Sequence, residues 1–152
     1  MKKNNKGFTL VELLAVIVVL AIIMVIATQQ INKTINRSRA KSFYESALIV
    51  TENARILYAE GGTKMITDAY LKESVDYNPA DFTITVDTTN KTIVLTAVSG
   101  GKFYLNSPDD VWGAVRTGDS FLDENVYLVS GNTICTSFAE LESNGKFKKC
   151  TN

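Results

Sequence analysis

The chain opens MKKNNKGFTLVELLAVIVVLAIIMVIATQQ (Met1–Gln30), and the architecture turns on how this stretch is read. From Phe8 to Ala27 every side chain suits a bilayer except Glu12, which lies four residues inside the apolar run. Twenty residues rising ~1.5 Å each span about 30 Å as a helix, the thickness of a hydrocarbon core. A secretory signal peptide would carry a shorter apolar core and a small-residue cleavage site, so this segment reads as retained. Lys2, Lys3 and Lys6 precede it and favour a cytoplasmic N-terminus, which places the body after Ala27 outside, on a single-pass anchor. The basic cluster Lys33, Arg37, Arg39 and Lys41 competes with that orientation.

A carboxylate is costly at the centre of a membrane helix and less so one turn from the interface, where it can reach the headgroups. The bland reading of Glu12 is such a snorkelling side chain. The functional reading needs a partner, and no basic residue lies between Phe8 and Gln30. The partner is therefore expected to be another chain or a newly made terminus.

The residues Lys6-Gly7-Phe8-Thr9-Leu10-Val11-Glu12, followed by the apolar span, resemble the prepilin signature of type IV pilins and the related pseudopilins. The resemblance is sharp over residues 6–30 and architectural beyond them. It implies cleavage between Gly7 and Phe8 by a prepilin peptidase and N-methylation of Phe8. It also assigns Glu12 and Thr9 to assembly, with Glu12 of one subunit pairing with the Phe8 amine of a neighbour. A glycine before the scissile bond lets a protease approach the backbone closely. Many relatives carry a proline two-thirds of the way along the membrane segment, where this chain reads Ala27-Thr28-Gln29-Gln30, so no obligatory kink is expected there.

The 152 residues are 45% hydrophobic and 21% charged, enough for one domain with a modest core plus an appendage. Formal net charge is +0, yet the three leader lysines leave 13 basic against 16 acidic residues from Phe8 onward. A slightly acidic body gives no reason for strong nonspecific binding to nucleic acid. Histidine is absent, which removes the usual general base, metal ligand and pH switch together. Ser and Thr are plentiful, but no GxSxG-type elbow marks a nucleophile. No catalysis and no cofactor are expected.

Two cysteines, Cys135 and Cys150, cannot complete a zinc site without histidine, which leaves one disulfide or two free thiols. Export favours the disulfide, whose loop closure would contribute about 3 kcal/mol. Its placement is similar to the disulfide-bounded C-terminal loop of many pilins.

Beyond the span, Ile31, Ile35, Phe43, Ala47, Val50, Ala54 and Leu57 recur at helical spacing, and no proline or glycine interrupts Phe8 to Glu60. One helix of about 80 Å is predicted, stopped by Gly61-Gly62. A short helix is predicted within Thr63–Tyr77. The alternating runs Phe82–Val86 and Thr92–Thr96 flank a turn at 87–91, a third strand is expected at Phe103–Leu105, and a second hairpin at Val126–Thr136. The fold class is α+β, a long N-terminal helix packed on a small antiparallel sheet. Its divisions are a leader at 1–7, a membrane and filament-core half-helix at 8–28, an outer half-helix at 29–61 and a β-rich region at 62–152.

Weaker signals each have a bland alternative. Lys146, Lys148 and Lys149 beside Phe147 offer an anionic-surface or DNA contact, or a solvated loop. Asp109-Asp110 and Asp119, Asp123, Glu124, Asn125 are oxygen-rich, but their spacing matches no calcium loop, which favours turn and surface roles. Trp112 reads as core or interface rather than a ligand-stacking aromatic. The resemblance implies as partners the chain itself or sister pilins, a prepilin peptidase, a membrane assembly platform with its motor ATPase, and the membrane before assembly. A pseudopilin of a secretion or DNA-uptake system is the near alternative, and a non-polymerising membrane-anchored binding protein the distant one.

Overall fold

The computed structural model describes residues 7–108, 110–112 and 126–139. Helix α1 runs Leu10–Gly61, a 3₁₀ turn follows at Gly62–Met65, and a short helix α2 occupies Asp68–Glu73. Four strands complete the order: β1 (Phe82–Asp87), β2 (Thr92–Ala97), β3 (Val126–Ser130) and β4 (Thr133–Ser137). They form one antiparallel sheet in the order β1-β2-β4-β3. The α+β class expected from the sequence is the class observed. The chain divides into two compact units, Met1–Ile35 and Asn36–Asn152.

In the first unit every described side chain is exposed, Phe8 to 88%. The helix starts at Leu10 rather than Phe8, because Thr9 is its N-cap: the Thr9 carbonyl accepts the first helical bond, from Leu13 N–H at 3.2 Å. Ile31 and Ile35, expected on the packed stripe, are also exposed.

In the second unit α1 is strongly one-sided. Ala40, Ala47 and Ala54 repeat every seven residues, flanked by Phe43, Tyr44, Val50 and Thr51, and all seven are buried. Small side chains down the middle of the stripe allow close approach, while the larger ones beside them fill the core. Across the core, strand alternation buries Phe82 and Ile84 from β1, Ile93, Leu95 and Ala97 from β2, and Ile134 from β4. Phe43 stacks on Phe103 with centroids 5.4 Å apart and meets Phe82 edge-on at 5.9 Å. Such pairs each contribute about 0.5–1.5 kcal/mol beyond the area they bury.

The expected strand at Phe103–Leu105 is not formed. Gly100, at φ +84, and Gly101 turn the chain so tightly that a Cβ on Gly101 would lie 2.6 Å from the Ala80 carbonyl oxygen. Leu105 is then served by a side chain instead of a strand. Its N–H donates to Asn132 Oδ1 at 2.8 Å, and its carbonyl accepts from Asn132 Nδ2 at 3.0 Å. One amide thus imitates the paired donor and acceptor of a neighbouring strand while Leu105 is buried.

Within the predicted Thr63–Tyr77 helix only α2 is α-helical, capped by Thr67, whose hydroxyl oxygen accepts from Tyr70 N–H. Ile66 and Leu71 point into the core, whereas Met65 and Tyr70 are exposed. The β1–β2 turn is held by Asp87, whose Oδ1 accepts from Thr89 N–H (2.9 Å) and Asn90 N–H (3.0 Å) and whose Oδ2 accepts from Asn90 Nδ2 (2.7 Å). Lys91 then takes φ +57 to close the hairpin.

Replacing Asn132 by Ala strips both backbone groups of Leu105 and is expected to destabilise the fold by about 1–3 kcal/mol in chemical denaturation. The Asn90 backbone N–H, then its side-chain amide, hold the Asp87 carboxyl below its ordinary value of 3.8, partly opposed by burial. Its contribution is therefore complete above that ordinary value and is lost as pH falls through the lowered folded one. Asp87→Asn should flatten this acid-side slope in pH-dependent denaturation.

Candidate functional site

The residues singled out at the N-terminus form one small constellation. Gly7, Phe8 and Thr9 lie outside the helix, and Leu10 begins it. A helix start leaves backbone N–H groups without partners, and in an apolar stretch water cannot supply them. Thr9 and Glu12 supply them reciprocally. Thr9 Oγ1 accepts from Glu12 N–H at 3.3 Å, and Glu12 Oε2 accepts from Thr9 N–H at 2.8 Å. This is a capping box, with the N-cap hydroxyl and the N3 carboxylate each closing on the other's backbone. The Thr9 hydroxyl also donates to Glu12 Oε2, at 2.9 Å.

Glu12 thus has hydrogen-bond partners within its own chain, in addition to the cationic partner expected from another chain or a new terminus. The sequence signal was present as Thr9-x-x-Glu12 directly before an apolar run. Both intrachain bonds to the carboxylate use Oε2, and Oε1 takes no partner among the described residues. Among the described residues, and apart from its chain neighbours, no atom lies within 4 Å of where a Cβ on Gly7 would stand.

The helix that follows is long and apolar enough to cross a membrane. In the proline-free stretch Ala27–Gln30, the Thr28 hydroxyl donates to the Met24 carbonyl at 2.7 Å, a contact that bends helices slightly without breaking them.

The remaining candidates separate. Cys135 is buried on β4, and no described cysteine is a free thiol. Cys150 lies outside the described residues, as do Lys146, Lys148 and Lys149, and Asp109, Asp119, Asp123 and Glu124. Asn125 lies outside them too. Asp110 is exposed, and among the described residues no three His, Cys, Asp or Glu side chains gather to hold a metal. Trp112 is core: it is buried and donates through Nε1 to the Gly131 carbonyl at 3.1 Å. A pocket lined by Ser38, Arg39, Ser42, Lys102 and Phe103 escaped the sequence reading, since its two walls are about sixty residues apart in the chain.

Residues 2–28 match the model of the prokaryotic N-terminal methylation motif, the signal of type IV prepilins and pseudopilins. The match supports a type IV pilin-like or pseudopilin-like prepilin, and it implies processing by a prepilin peptidase and assembly with other pilins. With the apolar helix it is consistent with membrane anchoring before assembly. No curated protein and no solved structure matches the chain.

Thr9→Ala removes the hydroxyl half of the box. In detergent micelles, amide hydrogen exchange over Leu10–Leu13 is expected to accelerate about fivefold, with exchange in the 40–54 segment unchanged.

Proposed function

We propose that this chain is the structural subunit of a type IV pilus or pilus-like filament. It is cut between Gly7 and Phe8, N-methylated at Phe8, held in the membrane by Phe8–Ala27 with its body outside, and then assembled through α1 on a membrane platform driven by a motor ATPase. Its work is mechanical and adhesive rather than catalytic.

The observation that carries this reading is the divided use of the Glu12 carboxylate. Oε2 closes the helix of its own chain, and Oε1 has no described partner. Cleavage after Gly7 leaves Thr9 and Glu12 on the retained side, so the capping box survives processing. The same cut creates a cationic amine at Phe8, the group an apolar assembly needs opposite a carboxylate. A neighbour's amine can approach Oε1 without displacing Thr9, since an ionised carboxylate offers about four acceptor positions. Once water is excluded such a pair sets register, and removing one member leaves a charge without compensation. Cys135 and Cys150 form the disulfide of the C-terminal loop in this reading, supported by the absence of a free thiol among the described cysteines.

Glu12→Gln separates the two tasks of the side chain. The amide oxygen still completes a capping box, whereas the charge is gone. Incorporation into sheared surface filaments is expected to fall about tenfold or more, while hydrogen exchange at Leu10–Leu13 stays as in the parent chain. Intact mass and N-terminal sequencing of the parent filaments should show a chain starting at N-methylated Phe8. A chain retaining residues 1–7 where the host's peptidase is active would overturn the assignment, as would undiminished assembly of Glu12→Gln.

A further inference from the structure

Six serine and threonine side chains lie on α1, and they fall into two groups. Thr28, Thr34, Ser46 and Thr51 each donate to the carbonyl four residues earlier, at 2.7–3.0 Å. Ser38 and Ser42 do not, and their hydroxyls have no partner among the described residues. These two are the serines that line the pocket with Arg39, Lys102 and Phe103, a concavity of about 280 Å³. The serine hydroxyls of this helix that make no back-bond are thus those that line a pocket with two cationic side chains.

Serines four apart lie on one helix face, so both hydroxyls address the same space. Arg39 makes no hydrogen bond or ion pair among the described residues, which leaves its guanidinium fork open. Lys102 arrives from the opposite wall, on the turn made by Gly100-Gly101. Its ammonium stands 4.8 Å from the Phe103 ring centroid, 3.5 Å from Asp81 and 4.0 Å from Asp76. Those separations exceed the roughly 2.7–2.9 Å of a strong charge-assisted bond, so its donors are only partly engaged. The pocket's side chains present a planar fork, an ammonium shared with Asp76 and Asp81, and two hydroxyls that can donate. Donors placed on two walls suit a tetrahedral group with several acceptor oxygens better than a planar carboxylate with two.

We propose that this pocket binds a phosphate group, as a free phosphate or as a phosphodiester headgroup, with Arg39 as its principal anchor. The site is distinct from the Thr9–Glu12 constellation and does not depend on the filament reading.

The test uses the full chain, isotopically labelled, in a phosphate-free maltoside detergent, with ionic strength held constant by chloride. Inorganic phosphate should shift the backbone amide signals of Ser38, Arg39, Ser42, Lys102 and Phe103 saturably. Arg39→Gln is expected to weaken binding about tenfold or more. The double substitution Ser38→Ala with Ser42→Ala should weaken it several-fold without lowering thermal stability, since alanine suits a helix. Lys33→Gln, outside the pocket, should leave it unchanged. Phosphatidylglycerol added to the micelles without free phosphate distinguishes the sources: the same shifts assign the ligand to a headgroup, and a response to soluble phosphate only assigns it to a free phosphate. A shift that does not saturate, an equal response to acetate, or undiminished binding by Arg39→Gln would overturn the proposal.

Discussion

The exposed apolar surface of the first unit governs everything else in this molecule. From Phe8 to Ile35 every side chain of the first unit is exposed, most of them large and aliphatic. Water is a poor solvent for such a surface, at about 25 cal/mol for each Å² left uncovered. Whatever covers it must itself be apolar, as lipid and the apolar helices of other chains are. Both environments lack free water, so each polar group carried in must bring its own partner. The capping box meets that demand where the helix begins, and the Thr28 hydroxyl folded onto Met24 meets it where the apolar run ends.

The second unit solves a different problem with the same helix. There α1 meets a sheet rather than lipid, and its sequence changes accordingly: alanines at 40, 47 and 54 replace a continuous aliphatic surface, and aromatic side chains concentrate in the core beside them. A bilayer rewards apolar area in every direction, whereas a sheet rewards shape on one face only. That difference explains why hydrophobicity marks the first part of α1 and periodicity the second. Ile31 and Ile35 continue the apolar character of the first part at helical spacing and share its exposure.

Much of this was legible because it is local. The hairpin Phe82–Ala97 follows from alternation and turn chemistry within sixteen residues, and the apolar run needs no tertiary information at all. The start of α1 is legible too, in Thr9-x-x-Glu12, a capping-box spacing whose carboxylate also draws attention because it stands alone among aliphatics. The failure at Phe103–Leu105 has another cause. The segment looks like a strand, with buried Phe103 and Leu105 alternating around Tyr104, yet its backbone partner is the Asn132 side chain, 27 residues on. No propensity scale encodes a side-chain amide standing in for a strand. The pocket was illegible for the same reason, since Arg39 and Lys102 become neighbours only when the helix and the glycine turn are both in place.

Hydroxyl groups along α1 expose the logic most directly, because one chemical group is used in three ways on one helix. At Thr9 it closes a capping box, where a free N–H in an apolar setting would otherwise be stranded. At Thr28, Thr34, Ser46 and Thr51 it turns onto its own backbone, which costs little and removes a donor from surroundings that have no use for it. At Ser38 and Ser42 neither happens, although the helix geometry that permits the back-bond is the same at every position. A serine hydroxyl that makes no back-bond on an exposed face is available to solvent or to an anion. Water alone would suffice for a single serine. Two of them four residues apart, beside an open guanidinium and opposite an ammonium, give an anion an arrangement of donors that water does not require.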